Sequence, residues 1–237
     1  MNIAGSGSLP GGEYQEDINI SGSGKITGST SCTNFNVSGS GKVEGDLCCR
    51  GDLKFSGNGQ IKGNLEAAKV SVSGNGKVGG SVQCDSCSVS GNFQAQSLAT
   101  NNLHTSGMLR TEGDIAAEDA VIRGCVVADG LINAEKLDII FDFRSSANSI
   151  GGSFIKIRRK GAVARLFTIL LGKRKSDHFQ VAGSIEGDVI DIEYVIADTV
   201  IGREVKIGPG CKIGTLTYTD SLNLNPESEV GTCSKLG

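Results

Sequence analysis

Apolar and polar residues alternate in short triplets along the first half of the chain. The pairs Ile18/Ile20, Phe35/Val37, Leu53/Phe55, Val70/Val72 and Cys87/Val89 are each followed by a polar turn, glycine-rich after the first four. Fainter copies follow at Leu103/Thr105, Ala120/Ile122 and Leu137/Ile139, and successive copies start 16 to 18 residues apart. A period of two is the signature of a strand with one buried face. The residues inside the pairs are Asn19, Asn36, Lys54, Ser71, Ser88, His104, Val121 and Asp138, mostly polar, as an outward column requires.

More inward columns follow each glycine loop. One reads Ile26, Val43, Ile61 and Val78; the next reads Thr30, Leu47, Leu65 and Val82. A third holds only small residues: Cys32, Cys49, Ala67, Cys84, Thr100, Ala117 and Ala134. Columns of constant character imply that equivalent positions stack. About 17 residues make three short strands and three corners, which is one turn of a parallel β-helix with about 4.8 Å between turns. A single turn cannot bury its apolar face, so stacking supplies the core. The loops Ser21–Gly24, Ser38–Gly41, Ser56–Gly59 and Ser73–Gly76 are then corners, with glycine and asparagine expected at positive φ.

The pattern changes past Phe143. The stretch RSSANSIGGS reads as a linker, and Arg158 to Lys175 carries Arg158, Arg159, Lys160, Arg165, Lys173, Arg174 and Lys175 with no acid. Its apolar centre, Val163 to Leu171, is too short to span a bilayer. Two readings stand for this run: a solvated surface strand, or a peripheral contact with anionic lipid through those seven basic residues. From Val189, apolar residues recur every six positions (Val189, Val195, Ile201, Ile207, Ile213), and IGREVKIGPGCKIG matches the hexapeptide pattern of left-handed β-helices. The expected organisation is a flexible tail over 1–16, a β-helix over 17–145, a linker with the basic segment over 146–180, and a second, smaller β-helical region over 181–237.

Candidate chemistry changes this picture little. Lysines 25, 42 and 77 follow glycine as in a phosphate-binding loop, but Ile26, Val43 and Val78 stand where Ser or Thr must hold Mg²⁺. Gly74–Gly79 matches GxGxxG, yet no helical pattern follows it. Nucleotide binding is therefore not expected. Cys84–Cys87 is a lone CxxC with no second pair, and its register points both thiols inward as core residues. Cys48 falls in an outward column and is expected to be exposed. The two histidines, His104 and His178, leave open a hexapeptide-type acyltransferase with a histidine base as the alternative function. No catalytic constellation, cofactor or metal site is expected.

Composition agrees. Glycine is abundant at 35 residues without collagen spacing, as corners between many strands require. A net charge of −3 makes no case for nucleic-acid binding. The opening MNIAGSGSLPGG has neither a basic start nor an apolar run, so no secretory signal is expected, and an exported adhesin would need one. A cytoplasmic location, where thiols stay reduced, is the expectation.

The repeated SGSGK-[IV]-x-G corners at this spacing resemble the bactofilins, polymer-forming cytoskeletal proteins of bacteria. The resemblance is close from Asp17 to Phe143. With INAEKLDIIF (Ile132–Phe141), the basic segment and IGPGCKI (Ile207–Ile213), the whole is similar to the longer Gram-positive type. It implies a right-handed β-helix that polymerises end to end without nucleotide, often at the membrane, as a scaffold for cell shape, envelope or motility proteins. The partner implied is the chain itself, through strand edges at Ile18 and Ile20 and near Ile139, Phe141 and Phe143, since open β-helix ends invite further pairing.

Overall fold

The structure, a computed structural model, describes residues 1–142, 144–161 and 178–236. Regular structure among them is entirely β, in two compact units, Met1–Ala117 and Glu118–Gly237.

The first unit contains β1 (Asn2–Ile3), β2 (Ser6–Glu13), β3 (Ile18–Ile20), β4 (Ser23–Cys32), β5 (Phe35–Val37), β6 (Ser40–Val43) and β7 (Leu47–Phe55). It continues through β8 (Asn58–Ile61), β9 (Leu65–Val72), β10 (Asn75–Val78), β11 (Ser81–Val89), β12 (Asn92–Ala95), β13 (Ser97–Thr105) and β14 (Met108–Thr111). The strands pair in parallel with their counterparts one coil away, as a β-solenoid requires. Ile18, Phe35, Leu53, Val70, Cys87 and Leu103 are successive register partners, as the alternation predicts. These six side chains are at most 2% exposed. Inside the coil the Phe35 and Phe55 rings meet edge to face at 6.5 Å, a geometry worth about 1 kcal/mol beyond burial.

The expected tail over 1–16 is not a tail. Asn2 and Ile3 pair with Asn19 and Ile20, and β2 pairs with β4 from Ser6 to Glu13. Ile3 and Leu9 occupy the columns of Ile20 and Ile26, and these two apolar residues suffice to build a further coil from a glycine- and serine-rich stretch.

The corner glycines are also not there for positive φ. Among the described residues Gly12, Gly28, Gly124, Gly152 and Gly210 are the glycines in that region, and none lies in the four SGxG loops. Two steric demands explain the loops instead. A Cβ on Gly39, Gly57, Gly74 or Gly91 would collide with the carbonyl oxygen of the glycine one coil earlier (Gly22, Gly39, Gly57, Gly74). A Cβ on Gly24, Gly41, Gly59 or Gly76 would point into the core, against Ile20, Val37, Phe55 and Phe93 respectively.

β15 (Ile115–Ala128) carries the chain into the second unit, which holds β16 (Leu131–Phe141), β17 (Ser146–Ala147), β18 (Ser149–Arg159), β19 (Phe179–Ile192), β20 (Val195–Ile207), β21 (Lys212–Leu224) and β22 (Glu229–Lys235). Residues 146–159, expected as linker, are coil: β18 pairs with β16 from Leu131↔Ser149 to Phe141↔Arg159. Glycines and serines weaken the alternation there, but Ile150, Ile155 and Ile157 still point inward and are buried. β18 and β19 are direct neighbours although Ile150 pairs with Ile185, thirty-five residues further along the chain.

The six-residue series does not set the later register. Phe179 pairs with Val195 and Thr199 with Thr215, sixteen residues apart, where three hexapeptides would give eighteen. Ile201 is 41% exposed, while Val200, Val205 and Ile207 form the core. The Phe141 and Phe179 rings pack edge to face at 5.7 Å in this unit.

Candidate functional site

A chain of stacked coils offers two kinds of surface: the outward columns and the strand edges at which stacking stops. On the outward columns, side chains repeat at the coil spacing and bond to their own kind. Asn19 donates its amide to Asn2 at 3.0 Å, Asn36 to Asn19 at 2.8 Å and Asn75 to Asn58 at 2.9 Å. The Glu44 carboxylate is held by Lys25 at 3.2 Å, Lys42 at 3.5 Å and Lys62 at 3.3 Å. Hydrogen bonds from Lys25 and Lys62 keep Glu44 below the usual carboxylate range. Exposed to solvent, this network orders the face more than it stabilises the fold.

The corner loops are not anion cradles, because their amides already have acceptors. Ser38 and Gly39 donate to the Ile20 carbonyl at 2.9 and 3.2 Å, and Ser40 donates to Gly22 at 2.8 Å. The next coil repeats this, with Ser56 and Gly57 on Val37 and Asn58 on Gly39. An amide bound to the coil below has no hydrogen left for a phosphate oxygen.

The strand edges lie elsewhere than the sequence suggested. β3, with Ile18 and Ile20, has β1 on one side and β5 on the other, so both residues are interior. Ile139 and Phe141 pair with Ile157 and Arg159 and are interior too; Phe143 lies outside the described residues. The misplacement has one cause, since residues 1–13 and 146–159 each add a coil beyond the expected boundary.

The later edge belongs to β22. Its residues pair with β21 from Lys212↔Glu229 to Tyr218↔Lys235, and among the described residues no further ladder covers its other side. Val230 sits in the column of Ile213, and Cys233 in that of Leu216. Leu222 and Leu224 sit in the columns of Val205 and Ile207. One coil earlier these columns are buried, yet here Leu224 is 42% exposed and Cys233 is exposed as well. The core of this unit thus opens to solvent through inward-facing apolar side chains.

A family model described as bactofilin, polymer-forming cytoskeletal, matches residues 2–74 and 41–133, together more than half of the chain. The chain belongs to the bactofilin family. Two Bacillus subtilis (strain 168) proteins are similar to this bactofilin. Uncharacterized protein YhbF is 37% identical over 109 residues, which cover 45% of this chain and 42% of YhbF. Uncharacterized protein YhbE is 35% identical over 109 residues, covering 45% of this chain and 44% of YhbE. The chain thus aligns with less than half the length of these curated relatives. No solved structure matches it.

In this bactofilin the described part of the basic segment is engaged within the second unit. Arg158 bonds Asp191 at 2.6 Å and approaches Glu193 at 3.8 Å, Lys160 bonds Asp142 at 3.0 Å, and the Arg159 guanidinium stacks 3.4 Å from the Tyr194 ring centre. Tyr194 is the described non-glycine residue at positive φ, 55°. Arg165, Lys173, Arg174 and Lys175 lie outside the described residues. Among the described residues no helix is long and apolar enough to cross a membrane.

His104 is exposed on the outward column beside Ser88, and the His178 ring tilts 6.3 Å from Tyr194. Among the described residues no group of three or more His, Cys, Asp or Glu side chains could hold a metal ion. Cys32, Cys49, Cys84 and Cys87 are buried and Cys48 is exposed, as the register predicts. Burial pushes the Cys211 thiol up to about 11, as expected of an inert core residue.

Proposed function

We propose that this bactofilin is a non-enzymatic scaffold whose chains stack coil upon coil, end to end and without nucleotide, at the inner face of the cell membrane. The reading extends to organisation of cell shape, envelope or motility proteins. The observation that carries it is the apolar face made by Leu222 and Leu224 at the end of β21 and by Val230 and Cys233 on β22. An unpaired strand edge beside an uncovered apolar core gains both ladder hydrogen bonds and burial when another coil lands on it. The occupied corner amides favour assembly that needs no nucleotide. In a pelleting assay, the purified chain is expected to sediment equally with and without ATP or GTP. Sedimentation that appears only with nucleotide would reject that reading.

Membrane attachment rests on the basic segment. Arg165 lies within the apolar stretch Val163 to Leu171 and Lys173, Arg174 and Lys175 follow it, and each adds about 1 kcal/mol near an anionic surface. The chain is expected to co-sediment with phosphatidylglycerol vesicles at low salt and to release at high salt. Replacing Lys173, Arg174 and Lys175 by glutamine is expected to weaken binding at least roughly tenfold. Equal binding to phosphatidylcholine vesicles would contradict a charge-driven attachment.

A further inference from the structure

Three of the eight cysteines, Cys32, Cys49 and Cys84, stand in one inward column of the first unit, with Ala67 between the last two. Cys32 on β4 and Cys49 on β7 are register partners in adjacent coils. Their sulfurs lie 3.7 Å apart, and the residues are 0% and 3% exposed. In-register strands hold Cα atoms about 4.8 Å apart, inside the span a disulfide bridges. The next member of their column is Ala67, so the sulfur pair has room to rotate. Cys49 also lines an open groove of about 550 Å³ with Cys48, Arg50, Glu66 and Cys84. A small solute in that groove reaches the pair from the side of Cys49. Either sulfur of the pair can donate the hydrogen bond to the other.

We propose that Cys32 and Cys49 are a modification site: a dithiol that a hydroperoxide oxidises to a reversible disulfide between stacked coils. Cys49, the sulfur that lines the groove, attacks one peroxide oxygen. The S–O bond forms, the O–O bond breaks, and the departing hydroxide takes the Cys49 proton to become water. The Cys32 sulfur then attacks the sulfenic sulfur of Cys49. The S–S bond forms, the S–O bond breaks, and hydroxide leaves with the Cys32 proton as a second water. The two sulfurs lose two electrons and the peroxide oxygens gain them. Cys48 cannot substitute, because it points outward from the same strand.

The test treats the full chain with hydrogen peroxide, blocks remaining thiols with iodoacetamide under denaturing conditions and maps the peptides without reduction. The expected result is a Cys32–Cys49 cross-linked peptide lighter by two hydrogens, with both thiols lost to alkylation and both restored by dithiothreitol. Cys48→Ser is expected to keep the cross-link. Cys49→Ala is expected to abolish it while leaving circular dichroism unchanged, because Ala67 fills the same column one coil on. Two alkylatable thiols at Cys32 and Cys49 after peroxide would overturn the proposal. So would any other oxidation product at these two sulfurs.

Discussion

Gly57→Ala is expected to lower unfolding stability by roughly 3 kcal/mol, the upper range for overpacking a fitted interior. The added methyl would sit against the carbonyl oxygens of Gly39 and Ser38, both backbone atoms that cannot rotate away. Relief requires moving one coil from the next, which stretches the bonds from Ser56 and Gly57 to Val37 and from Asn58 to Gly39. The same ladder continues at Gly74 and Gly91, so a displaced coil finds no slack beyond it. Gly5→Ala is the matched control, because a Cβ there meets nothing within 4 Å, and it is expected to cost less than about 0.5 kcal/mol. Urea midpoints of the two variants decide the matter. Equal midpoints would mean that the glycine ladder is not set by stacking distance.

Phe55→Ala is expected to cost about 4 kcal/mol, because the ring is 1% exposed and its loss leaves a cavity between coils. Gly59 lies across the corner from that ring, and a Cβ on Gly59 would press on the ring edge at 2.5 Å. Gly59→Ala alone is therefore expected to cost about 2 kcal/mol by overpacking. Combined with Phe55→Ala, the new methyl enters vacated space. The double variant is expected to be more stable than the sum of its parts by about 1–2 kcal/mol. Strict additivity would show that ring and glycine do not share one volume. The same complementarity operates at Gly76, whose absent Cβ leaves room for Phe55 and Phe93.

Much of the first unit was legible because a half-buried strand imposes a period of two and stacking imposes a second period of one coil. Ile18, Phe35, Leu53, Val70 and Cys87 satisfied both, and their register followed. Residues 1–16 were harder to read, since only Ile3 and Leu9 mark the inward columns among glycines and serines. In the later unit Val189 and Ile201 mimic a six-residue repeat although they face outward, and strand propensity alone cannot tell the two faces apart. The role of the SGxG glycines was hidden for another reason: a close approach between coils and a left-handed turn select the same residue. Both expected edges were displaced outward by one coil or more. A variant such as Ile20→Arg would therefore place a charge in the core and test folding rather than assembly.

The central claim, stacking through an open coil end, is tested most directly by electron microscopy of Val230→Arg beside the unaltered chain, both free of nucleotide. Val230 is half-buried in an inward column of the end strand, so arginine there charges the docking face with little left above it to disrupt. The account predicts filaments from the unaltered chain and dispersed particles from the variant, with equal circular dichroism. Filaments of the same length and abundance from both, or dispersed particles from the unaltered chain at high concentration, would contradict it.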